Sequence, residues 1–245
     1  MDPEALWSDR RHRRGRPPAH TREAVVERAV AVADAEGLSA VTMRRVAAAL
    51  GSGTMSLYTY VSERDALLEL MIDAVTGEQE LPPATDDWRA DLAAYARGQR
   101  ALMRRHPWLP AALAGRRTLG PNTLAALDHA LALLVPTGLS PLACLEAFAL
   151  VSGFVASHIG YEAAQESALG DAEQARRFAE ANARYLTKAV ESGAYPHFAA
   201  AAAASGTGPP PDPDATFERL LGRVLNGLTA PADPRPPAPG SSATG

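Results

Sequence analysis

Residues 54–60, TMSLYTY, bring three hydroxyls (Thr54, Ser56, Thr59) and two phenols (Tyr58, Tyr60) into about one and a half turns of chain. Such groups hydrogen-bond to phosphate oxygens and base edges, and Met55 among them offers the apolar contact that meets a thymine methyl. Two arginines flank the stretch. Arg44 is long enough to reach a guanine edge, and Arg64 stands near a helix start, where an anion is favoured. Catalytic chemistry has no comparable cluster. His106, His129, His158 and His197 stand singly, and only His158 with Glu162 has the i, i+4 spacing of metal ligands. One such pair does not hold a metal, and no phosphate loop, nucleophile elbow or paired-carboxylate pattern accompanies it. The expectation is therefore no enzyme, no cofactor and no metal.

A segment of seven residues does not stay helical alone, so the surrounding sequence must hold it. Upstream, Thr42 caps a helix over 43–50 whose Val46, Ala47 and Leu50 point inward, and the GSG at 51–53 makes the bend. Leu57 and Val61, at i and i+4, then anchor the segment and turn its polar residues outward. That is a helix-turn-helix, whose second helix enters a DNA major groove. Before it, Thr21 caps a first helix running to Glu36, closed by Gly37. After it, Ser62 with Asp65 resembles a capping box for a fourth helix through Val75.

Beyond Pro82-Pro83 the helices lengthen. Their expected spans are 87–105, a short one from Pro107 to Gly115, and one from Pro121 with Leu124, Leu127, Leu131 and Leu134 as its stripe. Then come 141–163, 171–192 with Asp171 and Gln174 as a capping box, and 214–228. Residues 201–214 read as a mobile low-complexity stretch. The count is about ten helices and the fold class all-α: a small N-terminal three-helix module, then a helical bundle. The boundaries are a basic disordered arm over 1–19, the helix-turn-helix domain over 20–80 (motif 42–61), the bundle over 81–229 and a disordered tail over 230–245.

Net charge is −4, from 24 basic and 28 acidic residues, which by itself argues against nucleic acid. Its distribution does not. Residues 1–64 hold ten arginines against eight acids (+2), leaving 14 basic against 20 acidic residues (−6) in the rest. Six of those arginines crowd RRHRRGRPPAHTR, so a polyanion is expected at one end only. The lone Cys144 makes no internal disulfide and fits a reducing cytoplasm. Residues 142–160 are long and apolar, but they contain Glu146, His158 and small residues, so they read as a buried helix and not as a membrane span.

The stretch AHTREAVVERAVAVADAEG followed by LSAVTMRRVAAALGSGTMSLYTYVSERDALLELMIDAV resembles the DNA-binding domain of the TetR family of bacterial transcriptional regulators. The matched parts are Gly37, the VTMRRVAAALG block, Leu57-Tyr58, Val61 and SERDALL, over nearly all of residues 20–76. HPWLPAAL, LGPNTLAALDHAL, GLSPLACLEAFALVSGFV and FERLLGRVLNGL resemble, more weakly, the tetracycline-repressor type of regulatory domain. The resemblance implies a repressor that binds double-stranded operator DNA as a homodimer and is released by a small-molecule effector. It puts Arg44, Thr54, Met55, Ser56, Tyr58, Thr59, Tyr60 and Arg64 at DNA-contacting positions, and the capping Thr42 joins that candidate set. Thr59 and Tyr60 replace a bulkier Trp-His pair of the tetracycline repressor, so the operator should differ. LPAALAGRRTLG lacks that repressor's metal-ligand histidine, which puts tetracycline–magnesium in doubt.

The long helix is apolar nearly all round, so one face needs a partner outside its own subunit. Its small-residue stripe, Ala149, Gly153, Ser157 and Gly160, with Phe217, Leu221, Val224 and Leu228 of the last helix, would form an intersubunit four-helix bundle. The alternative is that both stripes are intrachain core. Tyr95, Met103, Trp108, Leu127, Phe148, Phe154 and His158 are the candidate lining of a mostly apolar effector cavity. A ligand-free architectural or activator protein with the same helix-turn-helix is the rival, favoured by a cavity too small for any ligand.

Overall fold

The structure, a computed structural model, describes residues 6–7, 20–114, 120–168, 172–205 and 212–228. Among the described residues there are eleven α-helices and no strand. The N-terminal module comprises α1 (Arg22–Glu36), α2 (Met43–Ala49), α3 (Thr54–Leu57) and α4 (Arg64–Thr76). Next come α5 (Trp88–Arg105), α6 (Leu109–Leu113), α7 (Pro121–Leu134) and α8 (Pro141–Ala168). The last three are α9 (Ala172–Glu191), α10 (Pro196–Ser205) and α11 (Pro213–Gly227).

The early boundaries follow from local chemistry. Thr21 Oγ1 accepts from the Ala24 amide and Thr42 Oγ1 from the Arg45 amide, each at 3.1 Å, satisfying orphan donors of α1 and α2. Gly37 stops α1 at φ 84°, a conformation that glycine takes without steric cost. α1 then buries Val25, Val26, Ala29, Val32 and Ala33 against α4 and α2. The Ser62–Asp65 capping box does not form. The chain stays extended through Glu63 (φ −159°), which becomes the residue before α4 and makes no side-chain cap.

Helix α4 is enclosed on almost every side, because α1, α6 and α7 all pack on it. It buries two acids, Glu69 and Asp73, and the deeper of them is held from outside the helix. Asp73, 4% exposed, accepts from Thr123 N and Thr123 Oγ1 at 2.9 Å, capping the first turn of α7 from a different helix. Farther along, α5 packs against α7, α8 and α11. Arg100 of α5 stacks its guanidinium 4.3 Å from the Phe217 ring and pairs with Glu162 of α8 and Asp214 of α11. Arg104 bonds Glu162 at 3.0 Å and Asp214 at 3.2 Å, so one ion network ties three helices.

Several expectations are corrected. The buried stripe of α7 is Ala126, Ala130, Leu133 and Leu134, whereas Leu124 is 48% exposed. Alanines let α7 lie close on α4 and α5, while Leu127 and Leu131 are half-buried at the edge of that contact. Residues 196–205 form α10 where a mobile stretch was expected to begin at 201, bringing the count to eleven. α10 packs on α9, and Phe198 and Ala202 share a shallow groove with Leu186 and Val190. Within the 1–19 arm, Leu6 is buried in the core and Trp7 packs against it. The rest of that arm, Gly115, Asp171 and residues 229–245 lie outside the described residues.

Candidate nucleic-acid interface and effector region

Helix α2 ends in a tight reversal: Gly51 takes φ 64° and the Ser52 amide returns to the Ala47 carbonyl at 2.9 Å. Gly53, by contrast, has an ordinary φ of −75° and simply precedes α3. Regular helix lasts only from Thr54 to Leu57, shorter than the expected 54–60, and tight turns carry the chain on to Tyr60. The anchoring is as expected. Leu57 and Val61 are 1% and 2% exposed, beside Val46 and Ala47 of α2.

Met55 (81% exposed), Tyr58 (45%) and Thr59 therefore project outward, and Thr54 and Ser56 are half-buried on the same short segment. Arg44 on α2 and its N-cap Thr42 are exposed. Neighbouring Arg45 is committed elsewhere: its Nε reaches both oxygens of Glu36 at 3.1 Å. Those hydrogen bonds hold the Glu36 carboxyl below its usual range. Thr59 donates its hydroxyl to the Ser56 carbonyl at 2.7 Å, so toward a ligand it is an acceptor.

Two candidates read differently in the structure. Tyr60 is half-buried against the core, and its hydroxyl accepts from the His20 amide at 3.3 Å, so only the phenol edge faces out. Arg64 does not reach into solvent for phosphate. Its Nε donates to the Val41 carbonyl at 2.7 Å and its guanidinium to the Leu38 carbonyl at 3.1 Å, bracing the turn ahead of α2. Charged hydrogen bonds of this kind contribute about 1.5–3 kcal/mol each. Arg64→Ala should accordingly lower the thermal midpoint measurably while leaving the salt dependence of DNA binding as it was.

The effector residues separate into three groups. Tyr95 (2% exposed) stands with its ring 6.3 Å from Phe148 and 6.2 Å from His129. Burial pushes its phenol up to about 12, offset in part by a hydrogen bond from Gln99. Gln99 Nε2 also reaches Ser152 Oγ at 3.2 Å. Gln99 Oε1 and His129 Nε2 are buried without a hydrogen-bond partner. Buried polar atoms are ordinarily satisfied, so these two orphans, one on α5 and one on α7, stand out. By sequence Gln99 is one residue of the expected 87–105 helix, and His129 stands as a lone histidine without a second metal ligand. Neither type is distinctive until tertiary packing leaves it unpaired.

In the second group, Phe154 stacks on Phe217 and His158 meets the same ring at a tilt, centroids 5.5 and 5.3 Å from it. His158 Nε2 comes within 3.1 Å of Glu162 but lacks the alignment of a hydrogen bond. Met103 is buried and Leu127 half-buried. Trp108 belongs to none of this. Its indole N–H donates to Asp34 of α1 at 2.6 Å, and His106 lies 2.8 Å from Asp34 and 3.1 Å from Glu78. Asp34, His106, Trp108 and Glu78 thus clasp the bundle to α1 and to the end of α4.

The candidate dimer stripe also divides. Ala149, Gly153, Ser157 and Gly160 are all exposed on α8, flanked by Leu142, Leu150 and Tyr161, themselves 54–61% exposed. One face of the long helix packs on α5, α6, α7 and α11, and the face expected to need a partner outside the subunit is open. Phe217, Leu221 and Leu228 of α11 are buried within the chain at 0%, 1% and 8% exposure and are unavailable to a partner. Val224 is half-buried against the same core. By length and composition α8 is also the one membrane-span candidate among the described residues, weak evidence for a helix with a packed face.

A family model described as "Tetracyclin repressor-like, C-terminal domain" matches residues 81–231, more than half of the chain. The chain belongs to the TetR family of transcriptional regulators. Within that family it is 42% identical over 205 residues to the HTH-type transcriptional repressor DrrR1 of Streptomyces coeruleorubidus, covering 80% of this chain and 74% of that one. It is also similar to ActR of Streptomyces coelicolor. The apo ActR crystal structure has a TM-score of 0.72 at 30% identity, covering 88% of this chain and 97% of ActR. ActR in complex with actinorhodin gives a TM-score of 0.71 at 29% identity, covering 86% and 95%. As a TetR-family protein, the chain is a DNA-binding regulator with an N-terminal helix-turn-helix and a helical C-terminal domain.

Proposed function

We propose that this regulator is a repressor that holds a near-palindromic operator as a homodimer and releases it when a hydrophobic or amphipathic molecule enters the bundle. The observation that carries the DNA half is the outward face of Met55, Tyr58 and Thr59, fixed by buried Leu57 and Val61, with exposed Arg44 beside it. The open apolar face of α8 supports the dimer, since an apolar helix face this long is seldom left in water. Two reading heads would then sit roughly 34–36 Å apart, on successive major grooves. The repressor name of DrrR1 and the actinorhodin complex of ActR support repression and small-molecule release.

The effector would occupy the region of Tyr95, Phe148, Gln99 and His129, with the orphan Gln99 Oε1 and His129 Nε2 binding its polar groups. A route to the DNA side leaves from there. Gln79, just after α4, donates to the Tyr95 carbonyl at 3.2 Å, and the His106 clasp holds Asp34 of α1 and Glu78 together. Movement of α5 would be passed through these contacts to α1 and α4. An effector need supply only about 1–3 kcal/mol of coupling.

Gel-shift titration against the intergenic DNA beside its own gene tests the reading. Arg44→Ala should weaken binding by about 1–3 kcal/mol if the guanidinium reads a base. Unchanged affinity in both Arg44→Ala and Tyr58→Ala would remove the reading-head assignment.

A further inference from the structure

We propose that Thr59 selects the operator base it meets by accepting a hydrogen bond: it takes the amino group of adenine or cytosine and refuses guanine and thymine. The proposal rests on the reading role given above to α3 and the turns that follow it. Thr59 is exposed there, just beyond buried Leu57. Its hydroxyl proton is already placed. The Ser56 carbonyl accepts from the Thr59 hydroxyl at 2.7 Å and from the Thr59 amide at 3.2 Å.

That hydroxyl bond has the preferred length of an O–H···O contact. A carbonyl only accepts, so the hydroxyl is the donor, and what it keeps for a partner is its lone pairs. Swinging the proton toward a duplex would give the bond up. Tyr60, in the same stretch, has the opposite polarity. Its hydroxyl accepts from the His20 amide at 3.3 Å and keeps its proton to give. Tyr60 therefore suits a phosphate oxygen, which only accepts, and Thr59 does not.

In the major groove guanine presents only acceptors, and thymine presents an acceptor beside its methyl group. The donors there are the amino groups of adenine and cytosine. A hydroxyl limited to accepting therefore sorts bases by whether they carry an amino group. Arg44, whose guanidinium only donates, makes the converse choice, while Arg45 next to it is held by Glu36. A half-site read by both offers acceptors to Arg44 and an amino group to Thr59.

The test is selection from a random-sequence duplex library by the full chain, then gel-shift titration of the enriched duplex. Thr59→Val keeps the shape and removes the hydroxyl, and Thr59→Ser restores it. Wild type and Thr59→Ser should enrich adenine or cytosine at one half-site position where Thr59→Val accepts any base. Thr59→Val should bind the wild-type duplex about tenfold more weakly. Deoxynebularine for that adenine, or deoxyzebularine for that cytosine, removes the amino group. Either analogue should weaken wild type by a similar factor and leave Thr59→Val nearly unaffected. The proposal is overturned if Thr59→Val enriches the same half-site at full affinity, or if the analogue weakens both proteins equally. It is overturned as well if the position that relaxes is guanine or thymine in the wild-type selection. Arg44→Ala and Tyr58→Ala, run in parallel, separate the two levels. If they alter the selected sequence and Thr59→Val does not, the Thr59 assignment alone is wrong. If none of the three alters it, α3 is not the reading element.

Discussion

Glu162→Ala is expected to destabilise the protein by about 3–5 kcal/mol, because it strands a buried guanidinium. The Arg100 and Glu162 side chains are 9% and 12% exposed, and Arg100 sits over Phe217 with little water to replace the lost carboxylate. Asp214, 2.8 Å from Arg100, offers partial compensation and should hold the loss to the lower part of that range. Urea denaturation at neutral pH measures it. A loss under about 1 kcal/mol would show that the network behaves as a surface pair.

The same network sets an acid limit. Burial raises the Glu162 carboxyl, but hydrogen bonds from Arg100 and Arg104 outweigh it, so the group lies below the ordinary carboxylate value. Asp214 is lowered by Arg100, and Glu218 by Arg97, which it meets at 2.7 Å. Carboxyls depressed in the folded state contribute stability that is present above their unfolded value, about 4.3 for Glu. That contribution is lost as pH falls through the folded value. The gap in melting temperature between wild type and Glu162→Ala should therefore be widest near neutral pH and narrow on acidification.

Leu57→Ala should cost about 2–5 kcal/mol locally and remove specific operator binding. Helix α3 has four residues, far too few to persist without packing, and Leu57 is its only buried residue. Truncation leaves Tyr58 and Thr59 on a segment with no fixed direction, so their contacts lose the pre-organisation that gives base discrimination. Met55→Ala is the matched control. At 81% exposure it should leave stability within about 0.5 kcal/mol of wild type, while weakening binding wherever a thymine methyl is met. Operator affinity surviving in Leu57→Ala would mean that α3 is not the reading element.

Much of the architecture could be read from local pattern alone. Thr21 and Thr42 cap their helices as expected, Gly37 and Gly51 take the positive φ that ends them, and the Leu57–Val61 pair faces inward. These outcomes depend on residues within a few positions of one another, where backbone sterics and helical spacing decide the matter. The outward set of Arg44, Met55, Tyr58 and Thr59 follows from the same spacing.

What required the tertiary structure is what distant residues do to each other. Arg64 has the same covalent reach whether it holds a phosphate or the Val41 carbonyl, and only packing brings that carbonyl to 2.7 Å. Trp108 reads as cavity lining until Asp34, from a helix more than seventy positions earlier, is set beside its indole N–H. Phe217, Leu221 and Leu228 form an apolar stripe suited to a partner or to the chain's own core, and the docking of α11 on α5 and α8 selects the core. Gln99 and His129 become notable only because neighbouring helices exclude water from them without supplying partners. Helical periodicity states which residues share a face. It carries no information about which other element covers that face, since that depends on the summed packing of the whole chain.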